Sequence, residues 1–149
     1  MTIRPARETD VPVILALVRG LAEYERLADQ AVATEDDLRR TLFGPRPHAE
    51  VVLAEDERGV NGFALFFHNY STFRGRPGLY LEDLFVIPER RGEGIGKALL
   101  LHLKDIAIER GCGRMEWSVL SWNEPAVGFY QRLGAEVMDD WRICRIDLP

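Results

Sequence analysis

The stretch Arg90-Arg91-Gly92-Glu93-Gly94-Ile95-Gly96-Lys97 constrains this chain more than any other. Residues Leu79 to Ile87 before it read as a strand, and those after it, to about Arg110, read as a helix. Gly costs roughly 0.5–1 kcal/mol relative to Ala inside regular structure. Three glycines alternating through a strand-to-helix junction therefore point to a backbone that something must approach closely; the plainer account is a Gly-rich loop capping an ordinary helix. The first turn of the helix leaves N–H groups unpaired and carries the positive end of the helix dipole. With Arg90, Arg91 and Lys97 alongside, it suits a pyrophosphate. Two phosphate patterns fail. The Walker pattern wants Gly where Arg91 stands and Ser or Thr where Ala98 stands. The dinucleotide fingerprint fits Gly92 and Gly94 but meets Lys97 at its third glycine. What fits is R-x-x-G-x-G, running from Arg91 to Gly96.

At 149 residues the chain is long enough for a core and reads as a single domain, 1–149. No apolar run approaches the roughly 20 residues of a membrane-spanning helix, and the first residues lack the apolar stretch of a secretory signal. Cys112 and Cys144 show no metal or redox spacing, so a reducing cytoplasm is the default. His48, His68 and His102 are isolated from one another, and no metal is expected. The formal net charge of −5 argues against non-specific nucleic-acid binding and is compatible with a cationic small substrate, though solubility alone also accounts for it.

In chain order, Ile3 to Ala6 is a short strand. Thr9 or Asp10 caps a helix to about Leu27, with Val11, Ile14, Leu15, Val18, Leu21 and Ala22 on one stripe. Glu25 falls in that stripe beside Tyr24. It is paired, solvated or functional, unless the helix simply leaves the core by its last turn. Thr34 opens a second helix ending near Phe43. Glu50–Glu55 and Asn61–Asn69 are strands joined by a hairpin turn, and Tyr70–Gly78 reads as a loop.

Two carboxylates interrupt the apolar run Leu79–Ile87, and period-2 geometry sends Glu82 to one face and Asp83 to the other. A buried carboxylate without a partner costs several kcal/mol or takes up a proton. Either structural pairing or function would account for them. The next helix turns Ile95, Ala98, Leu99, His102 and Ile106 toward the core, with His102 as a packing residue. Met115–Ser121 is a strand. Asn123 is a good N-cap and Pro125 suits the first turn of a helix ending at Gly134. Asn123 and Tyr130, about two turns apart, share a face. Ala135–Met138 and Trp141–Leu148 read as two closing strands.

The Arg91–Gly96 pattern resembles the acyl-CoA pyrophosphate loop of the GNAT superfamily of N-acetyltransferases. Asn123, Ala126, Phe129-Tyr130 and Gly134 match its second signature, and the element order resembles its fold over almost the whole chain. Leu79-Tyr80-Leu81-Glu82-Asp83, Trp122-Asn123-Glu124-Pro125, Trp141-Arg142 and Leu21-Ala22-x-Tyr24-Glu25 are similar to the spermidine/spermine acetyltransferases and their thialysine-acetylating relatives. At Glu116 that family carries a histidine near the substrate.

The resemblance implies an α/β (α+β) GNAT fold: a mixed, mostly antiparallel sheet of six to seven strands flanked by about four helices. It implies acetyl-CoA as cosubstrate, no metal, and acetyl transfer to a primary amine of a polyamine, diamine or thialysine-like substrate. Cofactor contacts would come from Phe85, Val86, Ile87, Arg91, Gly92, Glu93, Gly94, Ile95, Gly96 and Lys97, and from Asn123, Glu124, Pro125, Ala126 and Tyr130. Glu82 is the expected base, acting through a water, and Tyr130 the expected acid. Tyr24, Glu25, Glu82, Glu116 and Asp139 are candidates for an acidic amine-binding lining. A homodimer is expected, with neither nucleic acid nor membrane as partner. The competing expectations are a protein or peptide N-acetyltransferase and a non-enzymatic acyl-CoA-binding module.

Overall fold

The computed structural model describes residues 1–149. Five strands form one sheet in chain order: β1 (Thr2–Pro5), β2 (Glu50–Asp56), β3 (Gly59–Ser71), β4 (Arg76–Val86) and β5 (Met115–Trp117). The first four are antiparallel neighbours, whereas β5 lies parallel to β4. A parallel pair needs a crossover connection, and α3 (Ile95–Glu109) supplies it. With α1 (Val11–Tyr24), α2 (Glu35–Leu42) and α4 (Glu124–Arg132), the result is a mixed, mostly antiparallel sheet with four helices.

Two compact units meet in sequence at Trp117/Ser118. In residues 1–117, Ile14, Leu17 and Leu21 of α1 join Leu42, Val51, Leu53, Phe63 and Phe85 in one buried cluster. Thr34 caps α2 reciprocally with Asp37: each side chain accepts from the other's backbone N–H. The opposite face of the sheet belongs to α3, where a Cβ on Gly62 would touch Leu99. The buried stripe of α3 is Ile95, Leu99, Leu100, Leu103 and Ala107. That stripe is rotated from the expected one, so Ala98, His102 and Ile106 lie at its half-buried edge.

Other expectations are corrected by pairing that the local sequence does not show. Most of Tyr70–Gly78 is strand: Asn69, Tyr70 and Ser71 pair with Gly78, Pro77 and Arg76, leaving only residues 72–75 as the turn. α1 stops at Tyr24 rather than Leu27, since Glu25 occupies its C-cap and Arg26 takes a left-handed φ of 62°. β5 ends at Trp117 rather than Ser121. The sheet has five strands rather than six or seven. Ala135–Met138 and Trp141–Leu148 form no ladder, and without a paired neighbour an alternating apolar pattern does not make a strand. Their apolar side chains stand in solvent, Ile146 at 87% exposure.

Candidate active site

The register of β3 against β4 slips at one place. Leu65 faces Asp83 but Phe66 faces Leu81, so Glu82 is an extra residue with no partner on β3. Such a bulge re-aims side chains and exchanges the faces of the strand. Upstream, Leu79 and Leu81 are buried on the α3 side. Downstream, Asp83 and Phe85 lie on the α1 side with Leu65 and Phe63. The simple alternation expected for Glu82 and Asp83 therefore fails, because the extra residue breaks the period.

The bulge gathers acid. Burial, then the charge of Glu82, then that of Glu25 push the Asp83 carboxyl up to about 7. Glu25, at the end of α1, is also raised, by burial first and by Glu82 second. The charge of Glu82 thus acts on two carboxyl groups, that of Asp83 next to it and that of Glu25 at the end of α1, while Glu82 itself is exposed.

This coupling sets a pH dependence. A carboxyl whose folded value lies above its unfolded one keeps a proton that the unfolded chain has lost. Its contribution to stability is fully present below pH ~4 and is lost as pH rises through about 7. Asp83→Asn removes that loss, which is on the order of 4 kcal/mol. Urea melts from pH 4 to 8 should show the wild type losing stability with pH more steeply than the variant. Parallel slopes would mean that Asp83 ionises normally in the fold.

Beyond Leu81, β4 has no β5 residue in register: β5 pairs only with Leu79–Leu81, and β4 runs on to Val86. The backbone from Glu82 to Val86 thus offers peptide groups along one edge, as an extended ligand requires. A 3-10 turn at Pro88–Arg90 leads into the glycine loop. Gly92 and Gly94 both have φ of 82°, where a side chain would be strained. A Cβ at either would meet nothing within 4 Å, so their conformation, rather than crowding, requires glycine. Gly94 caps α3, and its carbonyl accepts from the Ala98 N–H. The N–H groups of Ile95, Gly96 and Lys97 therefore begin the helix without a carbonyl four residues back, which suits an anion.

The arginines beside this loop divide their work. Arg90 donates to Asp56 at 2.6 Å, to Asn61 Oδ1 at 2.8 Å and to Glu93 at 2.8 Å. It ties the loop to the β2–β3 turn and is not available as a phosphate ligand. Glu93 is likewise turned to Arg90, which holds its carboxyl below the usual range. Arg91 donates through Nε to the Val86 carbonyl, and its guanidinium covers the rings of Tyr24 at 4.8 Å and Phe85 at 5.4 Å. Tyr24, Phe85, Ile87, Gly20, Val60 and Arg91 line an open cleft of about 490 Å³. Lys97 is exposed on the first turn of α3.

Glu116 registers with Tyr80, which in turn pairs with Phe67, the two rings lying 5.1 Å apart. Its Oε1 accepts from Asn69 Nδ2 at 3.2 Å and lies 3.0 Å from Arg114 Nε. Neither Arg114 nor Asn69 belongs to a motif, so no local pattern in the chain marks them out. Residues 118–149 carry the other candidates. Asn123, buried, is the N-cap of α4, followed by Glu124, Pro125 and Ala126 in its first turn. The rings of Phe129 and Tyr130 lie 5.4 Å apart near its end. Asp139 is exposed in the segment after α4.

A strand bearing a bulge, a glycine loop opening a helix, and a parallel strand after the crossover define an acyltransferase architecture. The chain belongs to the acetyltransferase (GNAT) family, whose model matches residues 18–135. It is an N-acetyltransferase by that membership. The thialysine N-epsilon-acetyltransferase of Bos taurus is 38% identical over 156 residues, covering 97% of this chain and 91% of that protein. The L-ornithine N5-acetyltransferase of Arabidopsis thaliana is 34% identical over 189 residues, covering 97% and 83%. Among solved structures, an integron cassette protein from the mobile metagenome of V. cholerae superposes with a TM-score of 0.83 at 29% identity, covering 98% and 91%. No helix is long and apolar enough to cross a membrane.

Proposed function

We propose that this protein transfers the acetyl group of acetyl-CoA to the primary amine of a small cationic substrate: a polyamine, diamine or thialysine-like amine. The observation that carries the reading is the bulge, which sets Glu82 and its carboxylate neighbours beside the unpaired edge of β4. Peptide groups of Phe85, Val86 and Ile87 would take the pantetheine arm. Arg91 and the backbone from Gly92 to Lys97 would take the pyrophosphate, with Asn123, Glu124, Pro125 and Ala126 as further contacts from α4. Glu93 contributes its backbone, its side chain being held by Arg90.

An ammonium has no lone pair with which to attack. A primary amine titrates near 10.4, by analogy with Lys, so at neutral pH a base must accept its proton. Glu82, through a water, is that base. The amine nitrogen then bonds to the thioester carbonyl carbon, the carbon–sulfur bond breaks, and Tyr130 protonates the departing thiolate. The second proton, which the nitrogen sheds in becoming an amide, restores Tyr130, and Glu82 releases its own to water. Tyr24, Glu25, Glu116 and Asp139 complete an acidic lining that attracts a cation. The whole chain acts as one domain, since the family model runs across both of its compact units. It works in the cytoplasm as a homodimer, without metal, nucleic acid or membrane.

The test is an acetylation assay over diamines, polyamines, ω-amino acids and a lysine peptide. Turnover of the small amines supports the reading; turnover of the peptide alone would make this a protein acetyltransferase, and none at all an acyl-CoA-binding module. Cofactor placement has its own check. A Cβ at Gly96 would meet only Val86, at 3.7 Å, so Gly96→Ala should fold normally. Gly94→Ala adds a left-handed strain of roughly 1–2 kcal/mol. Calorimetric titration should show CoA bound about tenfold or more weakly by both variants. Unchanged affinity for a folded Gly96→Ala would remove the loop from the site.

A further inference from the structure

The two arginines that open the glycine loop are held by opposite kinds of partner. Carboxylates hold Arg90: those of Asp56 and Glu93, which balance its charge. Neutral groups hold Arg91. Its Nε donates to the Val86 carbonyl at 3.1 Å, and its guanidinium carbon lies 4.8 Å from the centre of the Tyr24 ring and 5.4 Å from that of Phe85. The negative face of an aromatic ring attracts a guanidinium without cancelling its charge. A long arginine side chain otherwise has much rotamer freedom to give up when it meets an anion. The two rings and the carbonyl therefore fix a positive charge one residue before Gly92, where the anion-binding backbone begins.

Helix α1 supplies half of this arrangement. Gly20 and Tyr24 are four residues apart and share a helix face, and both line the cleft together with Phe85 and Arg91. Tyr24 ends the helix and is 39% exposed. Glycine is a poor helix former, but at position 20 it has a packing role: a Cβ there would stand 2.9 Å from Cε2 of Phe85. A bare backbone lets that ring lie against α1 and beneath Arg91. We infer that Tyr24 is a positioning residue for the cofactor, acting through Arg91. With Phe85 it holds the guanidinium, still charged, where the pyrophosphate enters the glycine loop. This rests on the reading of Arg91 as a pyrophosphate ligand and gives Tyr24 a part beyond the amine lining.

The experiment is a double-mutant cycle read by calorimetric titration of CoA into Tyr24→Leu, Arg91→Gln and the protein carrying both, with Tyr24→Phe alongside and the fold of each checked by thermal melting. Tyr24→Leu keeps an apolar side chain at an exposed helix end. It should weaken CoA about fivefold, the worth of one exposed contact between a guanidinium and a ring. Tyr24→Phe keeps the ring and should bind CoA within about twofold of the wild type. In the Arg91→Gln background Tyr24→Leu should cost less than about twofold, because the two residues act as one unit. Unchanged CoA affinity in a folded Tyr24→Leu, an equal loss in both backgrounds, or a Tyr24→Phe loss as large as that of Tyr24→Leu would overturn the inference and leave the pyrophosphate reading standing. A folded Arg91→Gln that binds CoA as tightly as the wild type would overturn both.

Discussion

Tyr130→Phe is expected to lower turnover by about 10²–10⁴-fold, the usual contribution of a general acid, while acetyl-CoA still binds. The substitution keeps the ring that lies against Phe129 on α4 and removes only the hydroxyl. Ground-state contacts made by the ring and by the N-terminus of α4 should survive, so the loss belongs to kcat rather than to the Michaelis constant for acetyl-CoA. The chemistry behind this is the leaving group. A thiol titrates near 8.5, by analogy with Cys, so a departing thiolate is basic enough to gain from a proton in flight. The deficit should persist at high pH, since hydroxide cannot protonate a thiolate. A Tyr130→Phe enzyme within threefold of wild type would assign the proton to another donor. A combined loss of turnover and of acetyl-CoA binding would make Tyr130 a binding residue instead.

Some of this site could be read from the chain, and some could not. The glycine loop was legible because its chemistry is local: left-handed backbone at Gly92 and Gly94 and an open helix N-terminus are written in adjacent residues. Asn123 as N-cap and Gly134, with φ of 92° past the end of α4, were legible for the same reason. The bulge was not. Its cause is the register of Leu65 and Phe66 against a strand that begins only at Arg76, and no property of Glu82 or Asp83 alone announces it.

The division between Arg90 and Arg91 was equally hidden. Two adjacent arginines look alike, and only the approach of Asp56 and Asn61, 34 and 29 residues away in sequence, takes Arg90 out of the cofactor's reach. The closing strands failed in the opposite sense. Ala135–Met138 and Trp141–Leu148 carry the apolar pattern of strands, but a strand also needs a neighbour's peptide groups, and the pattern does not supply one.

Glu82 is expected to remove the proton of the attacking amine. Glu82→Gln retains the shape of the side chain and one oxygen acceptor but takes away both base and charge. At pH 7 an amine titrating near 10.4 is less than about one part in a thousand unprotonated, so turnover of the variant should fall by about 10²–10⁴-fold. As pH rises the unprotonated amine accumulates, and the variant should regain about tenfold relative rate per pH unit until the amine's own titration is reached. The decisive measurement is the ratio of wild-type to Glu82→Gln turnover at saturating amine from pH 6 to 10. A ratio that shrinks steadily with pH is the result this account requires. A ratio that stays constant across the range would contradict it and leave Glu82 as an electrostatic anchor for the cation.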